Sequence, residues 1–381
     1  MTYSGKAARG RGAELAGLIA AAGLVTGLAA GLASARDRAP ASAPPAKQAT
    51  ASAPAPAPAS RAARQRQAWR QRMARRPAPR EGCFRADYPR LRWRSTACAT
   101  PPNVPYPPAP ALTVGDGNDF SALGAGQITQ ATGAFDQVVG VTSVTGQRWG
   151  SGPQVANTYS FQLNARPFTT TACGASARCL GWQQFVYSTT TQQVFIQYWL
   201  LRFDAACPAG WTTYQLGQST NCWRNSATGV SVVPTPLAAL QTMSLTGTTG
   251  MFGNDSAQLV TNGGTLFTMT SPGTILNLGD AWYGVEFVMV GDCCNTQANF
   301  NPGSSLTVRT AVTNVNNTPN PPTCLSEGYT AETNNLTFVG MPPIQPGPGP
   351  AIVTLQTNVP GPPPSCTISA GSWNDAPRRR D

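Results

Sequence analysis

The stretch Asp280-Ala-Trp-Tyr-Gly-Val-Glu-Phe-Val-Met-Val-Gly-Asp-Cys-Cys294 decides how the chain is read. It has the composition of a strand apolar on both faces, with a single carboxylate, Glu286, at its centre. A carboxylate flanked by Val285 and Phe287 is costly to bury unless it is hydrogen-bonded or put to use. Strict alternation predicts Trp282, Glu286 and Val288 on one face and Tyr283, Val285, Phe287 and Met289 on the other. Outward from it lie further short segments rich in Val, Thr, Phe, Tyr and Trp, broken by Gly, Asn, Thr and Pro. Among them are 138–144, 157–168, 181–188, 194–203, 229–233, 243–246, 257–260, 265–269, 305–312 and 336–339. Helical periodicity is almost absent, with at most one turn at 236–243. This pattern predicts an all-β protein, an antiparallel β-sandwich or a barrel.

The 381 residues include 27 Lys and Arg, 16 Asp and Glu, and no His, for a net charge of +11. Without histidine there is no Ser-His-Asp triad, no His-ligated metal and no HExxH peptidase chemistry. The positive charge is local: residues 1–98 hold 18 basic and 4 acidic side chains, and residues 99–381 hold 9 and 12. Both lysines, Lys6 and Lys47, fall in the first part. The globular part is therefore mildly acidic, which argues against nucleic acid as its partner.

Residues 1–35 carry Lys6, Arg9 and Arg11, then an Ala/Gly/Leu run, then Ala33-Ser-Ala35. This is the layout of a secretory signal peptide cleaved after Ala35, or of an anchor if left uncleaved, the one route by which the chain would meet a membrane. A secreted or periplasmic location follows, and in that compartment ten cysteines read as disulfides. Proximity pairs Cys83 with Cys98, Cys173 with Cys179, and Cys207 with Cys222. The remaining four allow three pairings, of which Cys324–Cys366 with a vicinal Cys293–Cys294 bridge is favoured.

Residues 36–80 are of low complexity. An Ala/Pro half reads as an extended linker, and the Arg-rich half from Arg61 to Arg76 as a solvated tether or a short basic helix docked on an acidic surface. Residues 81–110 read as a disulfide-closed knot and a Pro-rich spacer, residues 111–340 as the β domain, and residues 341–381 as a Pro/Gly-rich tail in which 351–357 adds at most an edge strand.

Most carboxylates fall in turn-like sequence: Asp116, Asp119, Asp136, Asp204, Asp255, Asp280 and Asp292. Asp116 and Asp119 lack the further ligands and closing Glu of an EF-hand, so neither metal nor other cofactor is implied. The domain has no Lys for Ser-Lys chemistry. What remains is Glu286 with the glutamines. Gln197 lies between Phe195 and Trp199 on one strand face, where an amide can donate to a developing oxyanion while a carboxylate activates water. The aromatic residues offer a different reading, in which Trp182, Tyr198, Trp199 and Trp282 line a groove for a polypeptide or a glycan, in a monomeric binding module.

The motifs Gly181-Trp-Gln-Gln-Phe-Val-Tyr-Ser188, Phe195-Ile-Gln-Tyr-Trp-Leu-Leu201, Cys222-Trp-Arg-Asn-Ser226 and Glu327-Gly-Tyr-Thr-Ala-Glu332 resemble a family of exported bacterial proteins to which no activity is assigned. More distantly, Thr142-Ser-Val-Thr-Gly146, Phe195-Ile-Gln197, Val285-Glu-Phe287 and Ala298-Asn-Phe300 are similar to the glutamic peptidases, or eqolisins. That resemblance implies a lectin-like jelly roll and an acid-active endopeptidase in which Gln197 polarises the scissile carbonyl and Glu286 is the general base. It also implies that a basic prosegment would pair with the acidic domain at neutral pH and leave in acid. The doubled Gln183-Gln184 leaves open which glutamine would act.

Overall fold

A computed structural model describes residues 60–109 and 119–370, apart from 75, 77, 79, 252, 263, 315–317 and 346. Residues 1–59, read above as a signal sequence and an Ala/Pro linker, lie outside the described residues, as do Asp116 and the terminal Arg cluster. The protein is mostly β, and its two large sheets are antiparallel and do not close into a barrel. Among the described residues no helix is long and apolar enough to cross a membrane.

Two ten-stranded sheets make up most of the molecule. Sheet I runs, in spatial order, through 94–95, 83–87, 265–272, 254–261, 244–251, 130–139, 305–313, 351–357 and 337–338, with 366–369 also paired to 351–357. Sheet II runs through 212–216, 219–225, 193–201, 180–188, 160–165, 284–290, 121–124 and 322–325, and 229–231 joins it through 193–201 and also pairs 98–99. The sheets face each other across one core. Sheet II contributes Phe161, Leu163, Phe185, Tyr187, Ile196, Tyr198, Leu200, Val285, Phe287 and Met289, the odd or the even residues of each strand as the pleat demands. Contact across the core is close: a Cβ on Gly133 of sheet I would meet the Phe287 ring at 1.9 Å, and one on Gly247 would meet the Phe185 ring at 2.5 Å. Each aromatic therefore sits in a notch that only glycine leaves open, and an alanine there overpacks the core.

The strand Gln130–Val139 has too few apolar residues to announce itself, yet it lies in the middle of sheet I. Asp136 is on it, and Asp255 is on Asn254–Thr261, so neither is the turn residue its local sequence implied. Ala351–Thr357 is likewise no edge of a loose tail, since it pairs on one side with Ser305–Thr313 and on the other with Thr337–Phe338 and Cys366–Ser369. The Arg-rich segment forms a helix, Arg61–Ala74, that packs on the fold. Trp69 and Met73 are buried with Phe84, Ala86, Trp93, Val260 and Leu266, and Trp69 Nε1 donates to Arg90 O at 2.8 Å. These apolar contacts outweigh the charge of the segment and exclude a freely solvated tether.

Five disulfides staple the chain: Cys83–Cys98, Cys173–Cys179, Cys207–Cys222, Cys293–Cys294 and Cys324–Cys366. The last ties sheet II to sheet I across 42 residues.

Candidate functional site

The other face of sheet II, turned away from sheet I, is polar at its centre. Register places Asn225, Gln197, Gln184, Asn164 and Glu286 in one row across five neighbouring strands. Side-chain bonds run along the row. Gln197 Nε2 donates to Asn225 Oδ1 at 2.7 Å, and Trp199 Nε1 lies 3.0 Å from both Gln184 Oε1 and Gln197 Oε1. Gln184 Nε2 donates to Gln162 Oε1 at 3.2 Å, and Asn164 Nδ2 reaches both Gln162 Oε1 and Glu286 Oε1, the latter at 2.7 Å. Gln162 continues to Glu332, whose carboxyl also takes bonds from Thr330 Oγ1 and Asn295 N.

Glu286 is fully buried. Besides Asn164 it accepts from the backbone N–H of Tyr329 at 3.0 Å and of Thr330 at 3.2 Å. Among the described residues no cation faces it; a second carboxyl lies near. Asp119, also buried, lies near enough for its charge to raise the proton affinity of Glu286. Burial, then the charge of Asp119, pushes Glu286 well above the carboxylate range, and burial likewise raises Asp119. Asp119 Oδ1 accepts from Phe120 N at 2.7 Å, whereas Oδ2 meets no N–H or O–H donor. Two carboxylates in a dry site cannot both ionise, so the pair retains a proton. Burial pushes Glu332 up to about 7 against the bonds from Thr330 and Gln162, and raises Asp292 against those from Thr190, Tyr106 and Ser188.

The row separates residues that the sequence had paired. Gln197 and Glu286 lie on one face but three strands apart, roughly 14 Å at the usual strand spacing. They form no dyad, because 180–188 and 160–165 intervene. The amide against Glu286 is that of Asn164. Trp282 does not share the face of Glu286: the strand begins at Gly284, after a turn at 278–280, and Trp282 packs inward on Phe185 with ring centres 5.8 Å apart. Tyr198 also points into the inter-sheet core. Trp182 and Trp199 do lie on the outer face, but they are fully buried with Trp223, Leu201 and Tyr329. No face of theirs is open to stack on a sugar.

The burial comes from the chain itself. Residues 101–109 run extended over the row, and the loop at 327–333 lies beside them. Ala109 N donates to Tyr329 O and Ala331 N to Pro107 O, both at 2.9 Å, with a bridge between Pro108 and Thr330. Asn225 Nδ2 donates to Pro102 O at 2.6 Å, and Gln197 Nε2 to Val104 O at 3.0 Å. Gln197 Oε1 accepts from Tyr106 N at 2.7 Å, and Cys294 N donates to Pro105 O at 3.2 Å. The Tyr106 ring is buried 5.8 Å from that of Phe195, and its hydroxyl donates to Asp292 Oδ1 at 2.6 Å.

Among the described residues no cluster of three or more acidic or Cys side chains is placed to hold a metal ion. A cavity of about 260 Å³ lies elsewhere, between the basic helix and sheet I, and none of the partners of Glu286 lines it.

No family model matches the chain, and no curated protein does. Among solved structures it is similar to scytalido-glutamic peptidase bound to a peptide-based transition-state analogue, with 8% identity, 64% of this chain and 98% of that one covered, and a TM-score of 0.27. The same peptidase with a transition-state analogue inhibitor gives 10%, the same coverage and 0.24. SCP-B, an eqolisin in complex with the tripeptide Ala-Ile-His, gives 9%, coverage of 56% and 98%, and 0.21. A likeness this slight establishes neither a shared fold nor a shared site.

Proposed function

We propose that the chain is an exported β-sandwich hydrolase of lectin-like form, acid-active in the manner of a glutamic endopeptidase, with Glu286 as its reacting carboxyl. The observation that carries this is Glu286 itself, buried on the outer face of a sheet with the Asn164 amide 2.7 Å away, a second buried carboxyl near it and no cation against it among the described residues. The amide role falls to Asn164 rather than to Gln197. With one proton between the two carboxyls, the ionised one takes a proton from water as its oxygen attacks the peptide carbonyl carbon. The Asn164 N–H donates to the oxyanion that forms. The protonated carboxyl then gives its proton to the leaving nitrogen as the C–N bond breaks. In the closed protein both carboxyls are pushed up by dryness. Water entering with substrate brings both back toward ordinary values, which sets the working range in acid.

A second reading, a binding module without catalysis, rests on the three hydrogen bonds that saturate Glu286 and on its full burial. One experiment separates the two: digestion of a denatured protein by the secreted chain between pH 2 and 7, with Glu286→Gln alongside. Cleavage confined to acid and lost in the variant is the expected result. A folded protein that cleaves nothing at any pH leaves the binding module.

A further inference from the structure

Residues 101–109 are treated by the rest of the protein as a bound ligand. With Pro at 101, 102, 105, 107 and 108 the segment is held extended and offers few N–H groups of its own. Side-chain amides of sheet II read its main chain: Asn225 at the carbonyl of Pro102, and Gln197 at both the carbonyl of Val104 and the N–H of Tyr106. An amide that meets a peptide carbonyl and a peptide N–H at once satisfies a backbone without reading its sequence. One side chain adds specificity. The Tyr106 ring fills a site formed with Phe195, Val186 and Cys293, and at its end the Asp292 carboxyl takes the hydroxyl proton. Asp292 is held for this by Ser188 Oγ at 2.9 Å and Thr190 N at 2.8 Å.

We propose that the outer face of sheet II is a groove for an extended, proline-rich polypeptide with a tyrosine anchor, and that residues 101–109 fill it in cis and keep it closed. The groove takes a second polypeptide of the same pattern when the strap leaves. This deepens the reading of the same face as one that handles polypeptide, yet it holds whether or not Glu286 cuts what binds.

The test uses a labelled peptide copying Thr100-Pro-Pro-Asn-Val-Pro-Tyr-Pro-Pro-Ala109, titrated into the full chain carrying Glu286→Gln, with and without Tyr106→Ala. A tethered strap competes at an effective concentration in the millimolar range, so Tyr106→Ala binds the peptide about 100-fold tighter than its parent. A peptide with Ala in place of Tyr binds neither. Equal binding by both proteins, or none by a folded Tyr106→Ala chain, overturns the proposal. Should Tyr106→Ala not fold, Tyr106→Phe keeps the ring and loses only the bond to Asp292. It is expected to bind more tightly than the parent, and equal binding again overturns the idea. Peptide binding by a chain with intact Glu286 that never cleaves would remove the peptidase reading and leave the groove. Acid cleavage of other substrates with no affinity for this peptide would do the reverse.

Discussion

Each large sheet buries charge, and they do it in opposite ways. In sheet I, Arg309 meets Asp136 through two parallel bonds of 2.7 Å, from Nε and Nη2. Its other N–H groups go to Pro348 O, Ser369 Oγ and Gln345 O, so all five donors of the guanidinium have acceptors. In sheet II, Glu286 meets three N–H donors and lies near another acid, with no cation against it among the described residues. The first arrangement is closed in charge and in hydrogen bonds, and it fastens the 345–348 segment and the last strand to sheet I. The second is closed only while a proton stays in it, which makes it responsive to pH and to any molecule that can exchange that proton.

The largest effect is expected where the matched pair is broken. Arg309→Met leaves Asp136 buried against apolar carbon and takes the tie from Pro348 and Gln345, a loss of about 3–5 kcal/mol. Unfolding in denaturant measures it. Arg309→Met combined with Asp136→Leu recovers much of the loss, since a well-packed apolar pair replaces a buried ionic one at little cost. If the single and the double variant unfold alike, the contrast between the sheets is wrong on the side of sheet I.

The unmatched side is tested by pH. Burial holds Glu332 at about 7 and raises Asp292, so both lie above the values they have in an unfolded chain. Between those limits the folded state binds more protons than the unfolded one, so stability is fully present below about pH 4 and falls as pH rises toward 7. Glu332→Gln removes its share of that slope, about 3 kcal/mol near neutral pH from the size of the shift. Melting temperature against pH should therefore decline from acid to neutral in the parent and decline less in the variant. A flat profile in the parent would mean that these carboxyls are not held protonated by the fold.

How much of this was legible in the residues follows the same division. Glu286 stands out in its strand because alternation and burial are local properties. The face of Gln197 can be read for the same reason. Their separation cannot, since the order of strands in a sheet is set by the whole topology, and two strands enter between them. Asn164 sits in a segment readable as a strand, but nothing nearby marks its amide as the partner of a carboxylate 122 residues away. Asp119, in Gly-Asp-Gly-Asn-Asp, reads as a turn, and its burial depends on contacts from elsewhere. Asp136 is misread for a related reason: its cation, Arg309, is 173 residues on and meets it only across a sheet. Trp282 is misassigned because alternation holds only inside the strand, which starts two residues later.

The exposed pairs set the lower end of the scale. Arg178 donates to Asp204 at 2.8 Å, a distance close to that in the Arg309 pair, but its side chain is 76% exposed. Geometry alone would rank the two contacts together. Solvent separates them, because in water the attraction is screened and holding two mobile side chains in one arrangement costs entropy. Asp204 also keeps a bond from Thr220 N when the arginine is gone, so no carboxylate is stranded. Arg178→Ala should therefore change the unfolding free energy, read from unfolding in denaturant, by less than about 0.5 kcal/mol. A loss approaching that of Arg309→Met would show that distance, rather than the dryness of the site, decides what a charged contact contributes here. Dryness would then not set the unmatched carboxyls of sheet II apart from exposed ones.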